Sequence, residues 1–131
     1  MNDEPTEIDE FGTKVWKNSE GQWHRDNDLP AIITLNGYHA WYKNDYHHRD
    51  NDLPAVMSSD GYYAWWKEDT KHRDNDLPAV VWKDGCCEWW VNGVYIKTKI
   101  CTKEEVEQYK KPFYQQAKFN IKFNRFEKLL K

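Results

Sequence analysis

The chain has 131 residues with a net charge of −3 and a mean hydropathy of −1.05, and no stretch is long and apolar enough to predict a membrane-spanning helix. Aromatic residues nevertheless make up 16% of the chain, which argues against intrinsic disorder. The charge is uneven, because residues 1–101 contain 11 Lys and Arg against 18 Asp and Glu, whereas residues 102–131 contain 8 against 4.

The N-terminal segment, residues 1–10, is rich in acidic side chains and is predicted to form a flexible acidic arm. It has no basic start followed by an apolar run, so the sequence predicts no signal peptide. The three cysteines, Cys86, Cys87 and Cys101, do not suggest a disulfide framework or the spacing of a zinc ribbon. Together these features predict an intracellular protein that is not secreted.

The middle of the chain, residues 11–100, contains an exact internal repeat. The octapeptide His-Arg-Asp-Asn-Asp-Leu-Pro-Ala begins at His24, His48 and His72, with a period of 24 residues. A glycine follows 13 residues after each histidine, and a tryptophan follows four residues after each glycine; these are Gly37, Gly61 and Gly85, and Trp41, Trp65 and Trp89. Such a period predicts an array of similar units, each contacting its neighbours.

Each unit is predicted to be a β-hairpin. Asn36-Gly37, Asp60-Gly61 and Asp84-Gly85 lie between short apolar segments and are typical of two-residue type I′ turns. Pairing outward from such turns places Ile32 opposite Trp41, Val56 opposite Trp65, and Val80 opposite Trp89, all on one face, with Tyr42, Trp66 and Trp90 on the other. The expected fold class is mainly β: an elongated single-layer antiparallel meander of 24-residue hairpins with a C-terminal α-helical cap.

The repeated motif resembles a variant of the MORN repeat, in the His-Arg-Asp-Asn-Asp-Leu-Pro-Ala form found in multi-copy proteins of Marseillevirus-like giant DNA viruses of amoebae. The resemblance covers roughly residues 11–96. It implies an antiparallel sheet and a scaffolding role without catalytic residues, located in the host cytoplasm or in the virion. The chain departs from the common pattern at Ala40, Ala64 and Glu88, where the family has glycine, which weakens any expectation of lipid binding.

The C-terminal segment, residues 101–131, is predicted to be helical. Thr102 with Glu105 fits a capping box, so a short helix should run to about Lys110, before Pro112. An amphipathic stripe follows at Phe119, Phe123, Phe126 and Leu130, with basic residues around it. We expect this helix to cover one end or one face of the sheet.

The repeated loop residues have two interpretations. Equivalent side chains in stacked units usually form ladders, so the sequence predicts a structural ladder of His24, Arg25, Asp28, His48, Arg49, Asp52, His72, Arg73 and Asp76. A repeated metal site is chemically conceivable, since imidazole and carboxylate are ligands, but the ladder is favoured. The His-Arg-Asp triplet lacks the other parts of a kinase site, and no catalytic residue, metal or cofactor is predicted.

The favoured function is a non-enzymatic scaffold that acts by protein–protein contact, as a homodimer or with another protein, because both sheet faces carry aromatic residues. The alternative is a binding module for glycans or lipid headgroups. The candidate interaction-face residues are Tyr42, Trp66, Trp90, Phe119, Phe123 and Phe126. The acidic array predicts no nucleic-acid binding, whereas the basic C-terminal helix leaves contact with an anionic membrane open.

Overall fold

A computed structural model describes residues 3–110 of the chain. Its elements, in chain order, are β1 Glu7–Ile8, β2 Lys14–Val15, β3 Ile32–Ile33, β4 His39–Ala40, β5 Tyr42–Lys43, β6 Tyr46–His47, β7 Val56–Met57, β8 Tyr63–Ala64, β9 Trp66–Lys67, β10 Thr70–Lys71, β11 Val80–Val81, β12 Cys86–Val91, β13 Val94–Ile100 and α1 Lys103–Tyr109. The fold is mainly β with a short C-terminal helix, as the sequence predicts.

Nine of these strands form one antiparallel sheet in the order β1-β2-β3-β4-β7-β8-β11-β12-β13. The order follows the chain except for β5–β6 and β9–β10, which form separate two-stranded ribbons. Strand β12 joins the two kinds of hairpin, since it pairs with β11 and also continues into the hairpin with β13. Each 24-residue unit therefore contains one hairpin of the main sheet and one ribbon hairpin, where the sequence predicted a single hairpin.

The hairpins of the main sheet have three-residue loops, so the predicted two-residue turns are wrong. In the second copy of the repeat, the Ser58 amide donates to the Tyr62 carbonyl (2.9 Å) and the Gly61 amide to the Ser58 carbonyl (3.1 Å). Gly61 has a φ of +98°, whereas the φ of Asp60 is not positive. This is a type I turn followed by a left-handed glycine that forms a bulge.

The longer loop shifts the strand register by one residue. Val56 lies opposite Ala64, Ile32 opposite Ala40, and Val80 opposite Glu88, where the sequence predicted the following tryptophan in each case. Because side chains alternate between faces, Trp41, Trp65 and Trp89 lie on the face opposite Ile32, Val56 and Val80. The predicted grouping of all six on one face is therefore wrong.

Two-residue turns occur elsewhere in each unit, with positive φ at both central residues. In the ribbons these residues are Asn44-Asp45 and Glu68-Asp69, and the β12–β13 hairpin uses Asn92-Gly93. In the repeated octapeptide they are Asn27-Asp28, Asn51-Asp52 and Asn75-Asp76. Asn and Asp adopt this left-handed conformation at lower cost than most residues, which explains the Asp-Asn-Asp-Leu motif.

Part of the segment predicted as a flexible acidic arm, Glu7–Ile8, forms a strand of the first hairpin instead. Strand β1 pairs with β2, placing Glu7 opposite Val15 and Ile8 opposite Lys14. Asp3 forms an ion pair with Arg25 (2.7 Å). The segment Asn2-Asp3-Glu4-Pro5 matches Asn27-Asp28-Leu29-Pro30 in sequence, so it is a degenerate copy of the repeat.

Buried apolar residues form two clusters. One contains Ala40, Tyr42, Val56, Ala64 and Val80, with Trp66 and Trp90 packed against it. The other contains Trp65, Ala79, Val81, Cys87, Trp89 and Cys101, with Val106 and Tyr109 packed against it. Helix α1 thus covers the second cluster, and Thr102 begins it with the predicted capping box. Residues 111–131, including Phe119, Phe123 and Phe126, lie outside the described residues.

Candidate functional site

The repeated loops are joined by arginine–aspartate pairs between neighbouring units. Arg49 donates through Nε and Nη2 to the two carboxylate oxygens of Asp28, at 2.8 and 3.2 Å. Arg73 contacts Asp52 in the same way, at the same distances. This two-point geometry is specific to the planar guanidinium. Each unit is therefore connected to the preceding one by a charged pair at a fixed position.

Each of these arginines also contacts its own loop and the tryptophan of the preceding unit. Arg73 donates through Nη1 to the Pro78 carbonyl (3.2 Å), and its guanidinium carbon lies 3.9 Å from the Trp65 ring centroid. The indole N–H of Trp65 donates to the Asp52 carbonyl (3.0 Å). Equivalent contacts recur for Arg49 with Trp41. The arginine, aspartate and tryptophan thus form one connected unit, in which Arg73 is only 3% exposed and the Asp52 side chain is 32% exposed.

The repeated histidines join the loops to the ribbons. Nδ1 of His24, His48 and His72 accepts from the amide of Asn44, Glu68 and Asn92, respectively, at 2.9–3.2 Å. Their Nε2 atoms lie 2.8–2.9 Å from the carboxylates of Asp26, Asp50 and Asp74. Because Nδ1 accepts a backbone bond, the neutral imidazole carries its proton on Nε2 and donates it to the aspartate. These histidines are held by two partners each, in a structural arrangement.

The ladder ends differently at its two sides. At the first position Asp3 takes the aspartate role, since its carboxylate pairs with Arg25 and its carbonyl accepts from Trp16 Nε1 (3.1 Å). At the last position the Asp76 carbonyl accepts from Trp89 Nε1 (3.0 Å). There the Lys97 ammonium, 4.7 Å from the Trp89 centroid, lies over the indole ring in place of an arginine.

The nine residues predicted as a ladder therefore lie in one row of loops. Arg25 is paired with Asp3, a residue that the sequence analysis did not select. The sequence does contain a signal for this pairing, because Asn2-Asp3-x-Pro5 matches the repeated Asn-Asp-x-Pro. Among residues 3–110, no group of three or more His, Cys, Asp or Glu side chains is placed to hold a metal ion.

Side chains of the ribbons, of Trp23 and of the β12–β13 hairpin form a second row, on the other side of the sheet from Trp65 and Trp89. The stack runs through Trp23, Tyr42, His47, Trp66, Lys71, Trp90 and Tyr95, with neighbouring rings or ammonium groups 4.3–5.6 Å apart. Of the candidate interaction residues, Tyr42 is buried and both Trp66 and Trp90 are half-buried. The stacking contacts therefore cover a large part of the three rings that the sequence analysis selected as an exposed interaction face.

Tyr42 also belongs to a hydrogen-bonded chain that occurs in one unit. Its hydroxyl lies 2.8 Å from Nε2 of His47, whose Nδ1 lies 3.1 Å from Asp69. Burial, with nearby negative charge, raises the pKa of Tyr42 to about 12, so its hydroxyl is a hydrogen-bond donor throughout the neutral range. His47 was not selected from the sequence, because it interrupts the repeat: the matching residue 24 positions later is Lys71.

The C-terminal edge of the sheet is formed by β13, and all seven of its residues are exposed. Four are apolar or aromatic: Val94, Tyr95, Ile96 and Ile100, with exposures of 61, 52, 54 and 70%. In the described sheet β13 pairs with β12 alone, so its second edge has no strand beside it. The described chain thus presents a seven-residue edge strand that is partly apolar and has a bulge at Ile96.

No protein-family model, curated protein or solved structure matches this chain. Among the described residues, no helix is both long enough and apolar enough to cross a bilayer. The candidate functional surfaces are therefore defined by geometry: the loop ladder, the aromatic stack and the edge strand β13.

Proposed function

We propose that the protein is a non-enzymatic repeat scaffold that acts by protein–protein contact and forms a homodimer by pairing β13 with β13 of a second copy. The observation that carries this proposal is the exposure of all seven residues of β13 at the end of the sheet. Exposed edge strands pair with other strands through their free backbone groups. A two-fold pairing would satisfy both copies at once and close the assembly.

The lysines of β13 do not protect this edge in the usual way. Lysine on an edge strand normally keeps other strands away, because its charge would have to be buried on pairing. Here the Lys99 ammonium is paired with Glu105 (2.7 Å) and the Lys97 ammonium lies over the Trp89 ring (4.7 Å). Both charges are therefore satisfied on the helix-covered face, which leaves the backbone edge accessible.

The remaining polar groups support a structural role. The Arg49 and Arg73 side chains and their aspartate partners are used to join units, and the repeated histidines are each held at both ring nitrogens. These contacts connect neighbouring loops and hairpins, which supports the scaffold proposal. The glycan or lipid-headgroup alternative requires open ring faces, which the aromatic stack reduces.

The MORN-like motif supports a specific kind of scaffold. We infer that the chain is a variant MORN-repeat protein of the type carried by giant DNA viruses of amoebae, acting in the host cytoplasm or in the virion. The support is the repeated His-Arg-Asp-Asn-Asp-Leu-Pro-Ala sequence together with its hairpin geometry. Detection of the protein in purified virions or infected cells would test this assignment, and absence from both would contradict it.

The dimer is tested by sedimentation velocity over a range of about 1–100 μM. We expect a dimer for the natural chain and a monomer for the double substitution Ile96→Glu with Ile100→Glu, because pairing of two copies would bring their like charges together. Leu35→Glu is the matched control, since Leu35 is 80% exposed in a loop of another hairpin, and it should remain dimeric. A monomeric natural chain at every concentration would overturn the proposal.

A further inference from the structure

A row of directly paired residues crosses the helix-covered face of the sheet. Each member is the cross-strand partner of the next, so all share one face: Ile8, Lys14, Ile33, His39, Met57, Tyr63, Val81, Cys87 and Lys99. We call this set the cross-strand row. Val81 and Cys87 are completely buried in the cluster that α1 covers. Farther from α1, Tyr63, Met57 and the rest of the row are half-buried or exposed.

Helix α1 ends at the point where this cover stops. The Tyr109 carbonyl accepts from Arg73 Nη2 (2.7 Å), and the Lys110 ammonium lies 4.6 Å from the Tyr63 ring centroid. Tyr63 follows Val81 in the cross-strand row. Burial also lowers the pKa of Lys110, as expected for an ammonium held against the protein surface. The chain therefore leaves the described region directly over the half-buried part of the row.

The predicted stripe in the remaining 21 residues is long enough to cover more than half of this surface. From β8 to β1 the sheet order contains five steps between strands, about 24 Å at roughly 4.8 Å per step. A helix carrying the predicted stripe from Phe119 to Leu130 would span about 17 Å at 1.5 Å per residue. The stripe is thus long enough to lie across Tyr63, Met57 and His39 and to approach Ile33.

The charges of the two parts are also complementary. Residues 111–131 contain six Lys and Arg and one Glu, whereas residues 1–110 contain 13 Lys and Arg and 21 Asp and Glu. Opposite net charge attracts the segment towards the sheet at long range, while its apolar stripe would supply the contact. Attachment at Lys110 gives the segment a high effective concentration at the adjacent surface, which favours its own sheet over that of a second copy.

We propose that residues 111–131 pack onto the cross-strand row of their own chain, with Phe119 and Phe123 facing Tyr63, Met57 and His39. The segment then acts as a built-in cover for one sheet face. The inference is independent of pairing through β13, because it concerns the face of the sheet and that pairing concerns its edge.

Oxidation of Met57 by hydrogen peroxide tests the cover in the full-length chain. Met57 is half-buried in the row, and its sulfoxide is measured by mass spectrometry. The double substitution Phe119→Asp with Phe123→Asp should increase the oxidation rate several-fold by removing the apolar contact. Lys128→Asp is the matched control, because it changes the net charge by the same two units on the opposite side of the predicted helix. Equal rates in the natural chain and the double variant would overturn the proposal.

Photo-crosslinking identifies the surface and the copy that is covered. With p-benzoylphenylalanine in place of Phe123, we expect crosslinks to residues 33–63 of the same chain, and none to this region when the probe replaces Lys128. Mixing isotopically light and heavy protein distinguishes crosslinks within one chain from crosslinks between two copies, because packing within one chain joins only peptides that carry the same label. Crosslinks of mixed label, or crosslinks confined to the Trp66 side of the sheet, would overturn the inference while leaving the β13 dimer untouched.

Discussion

At the scale of single residues, the arginine of each repeat has three functions that no other side chain combines. Arg73 bonds both carboxylate oxygens of Asp52, lies flat on Trp65 and donates to the Pro78 carbonyl. Planarity permits the first two contacts, and several N–H groups permit all three together. This explains why the motif keeps arginine where a single positive charge could also have paired with aspartate.

We therefore expect Arg73→Lys to lower the free energy of unfolding by about 2–3 kcal/mol, because lysine loses the two-point contact made by a guanidinium that is itself almost fully buried. Arg25→Lys is the matched control, since the carboxylate of its partner Asp3 is 56% exposed, and it should cost about 1 kcal/mol or less. Urea unfolding followed by tryptophan fluorescence measures both. An equal decrease in the free energy of unfolding for both variants would show that burial of the arginine–aspartate pair does not determine how much the pair stabilises the protein.

At the scale of elements, the turns determine which residues face each other. Each unit uses a three-residue loop at Asn-Gly or Asp-Gly and two-residue turns in the ribbon and the octapeptide. Most positions with positive φ are Gly, Asn or Asp, which accept this conformation readily. Glu68 is the exception in the ribbons: its φ is +48°, whereas the equivalent residue in the preceding ribbon is Asn44.

Replacing Glu68 with asparagine should stabilise the protein by about 0.5–1 kcal/mol, because asparagine adopts the left-handed conformation at lower cost. The bond from the residue-68 amide to His48 Nδ1 is made by the backbone and is retained. Glu68→Gln is the matched control, since it removes the same charge without changing the backbone preference. The midpoint of urea unfolding should rise for Glu68→Asn alone, and an equal rise for both variants would assign the effect to charge.

At the scale of the whole molecule, stability depends on two thin clusters on opposite sides of one sheet. Each contains a buried acidic group in its neutral form: burial raises the pKa of Cys87 to about 12 and that of Tyr42 also to about 12. In the unfolded chain these groups lose their protons near pH 9 and pH 10, respectively. Their contribution to stability is therefore complete below about pH 9 and is lost as pH rises towards 12.

We expect the free energy of unfolding to fall as pH rises above about 9, by up to about 1.4 kcal/mol per pH unit for Cys87. Cys87→Ala should reduce the slope of the profile from pH 9 upwards, and Tyr42→Phe should reduce it above pH 10 without removing it, because Cys87 still titrates there. Urea unfolding at a series of pH values tests this expectation. A Cys87→Ala profile parallel to that of the natural chain would contradict it.

Much of the fold followed from local sequence. The 24-residue period predicted the meander, and Thr102 with Glu105 predicted the start of α1. The strand register did not follow, because Asp-Gly occurs both in two-residue turns and in three-residue loops with a glycine bulge. The ribbons were also missed, although Asn and Asp at positions 44 and 45 permit a tight turn.

The sequence by itself determined the repeating unit, its β character and the positions of its glycine turns, because these depend on residues close together in the chain. Tertiary structure decided which side chains meet, as in the pairing of Arg49 with Asp28, 21 residues earlier, and of Arg25 with Asp3. It also decided that Trp65 and Val56 lie on opposite faces. A one-residue change in loop length exchanges the two faces of a strand, and only the stacked units together select between the alternatives.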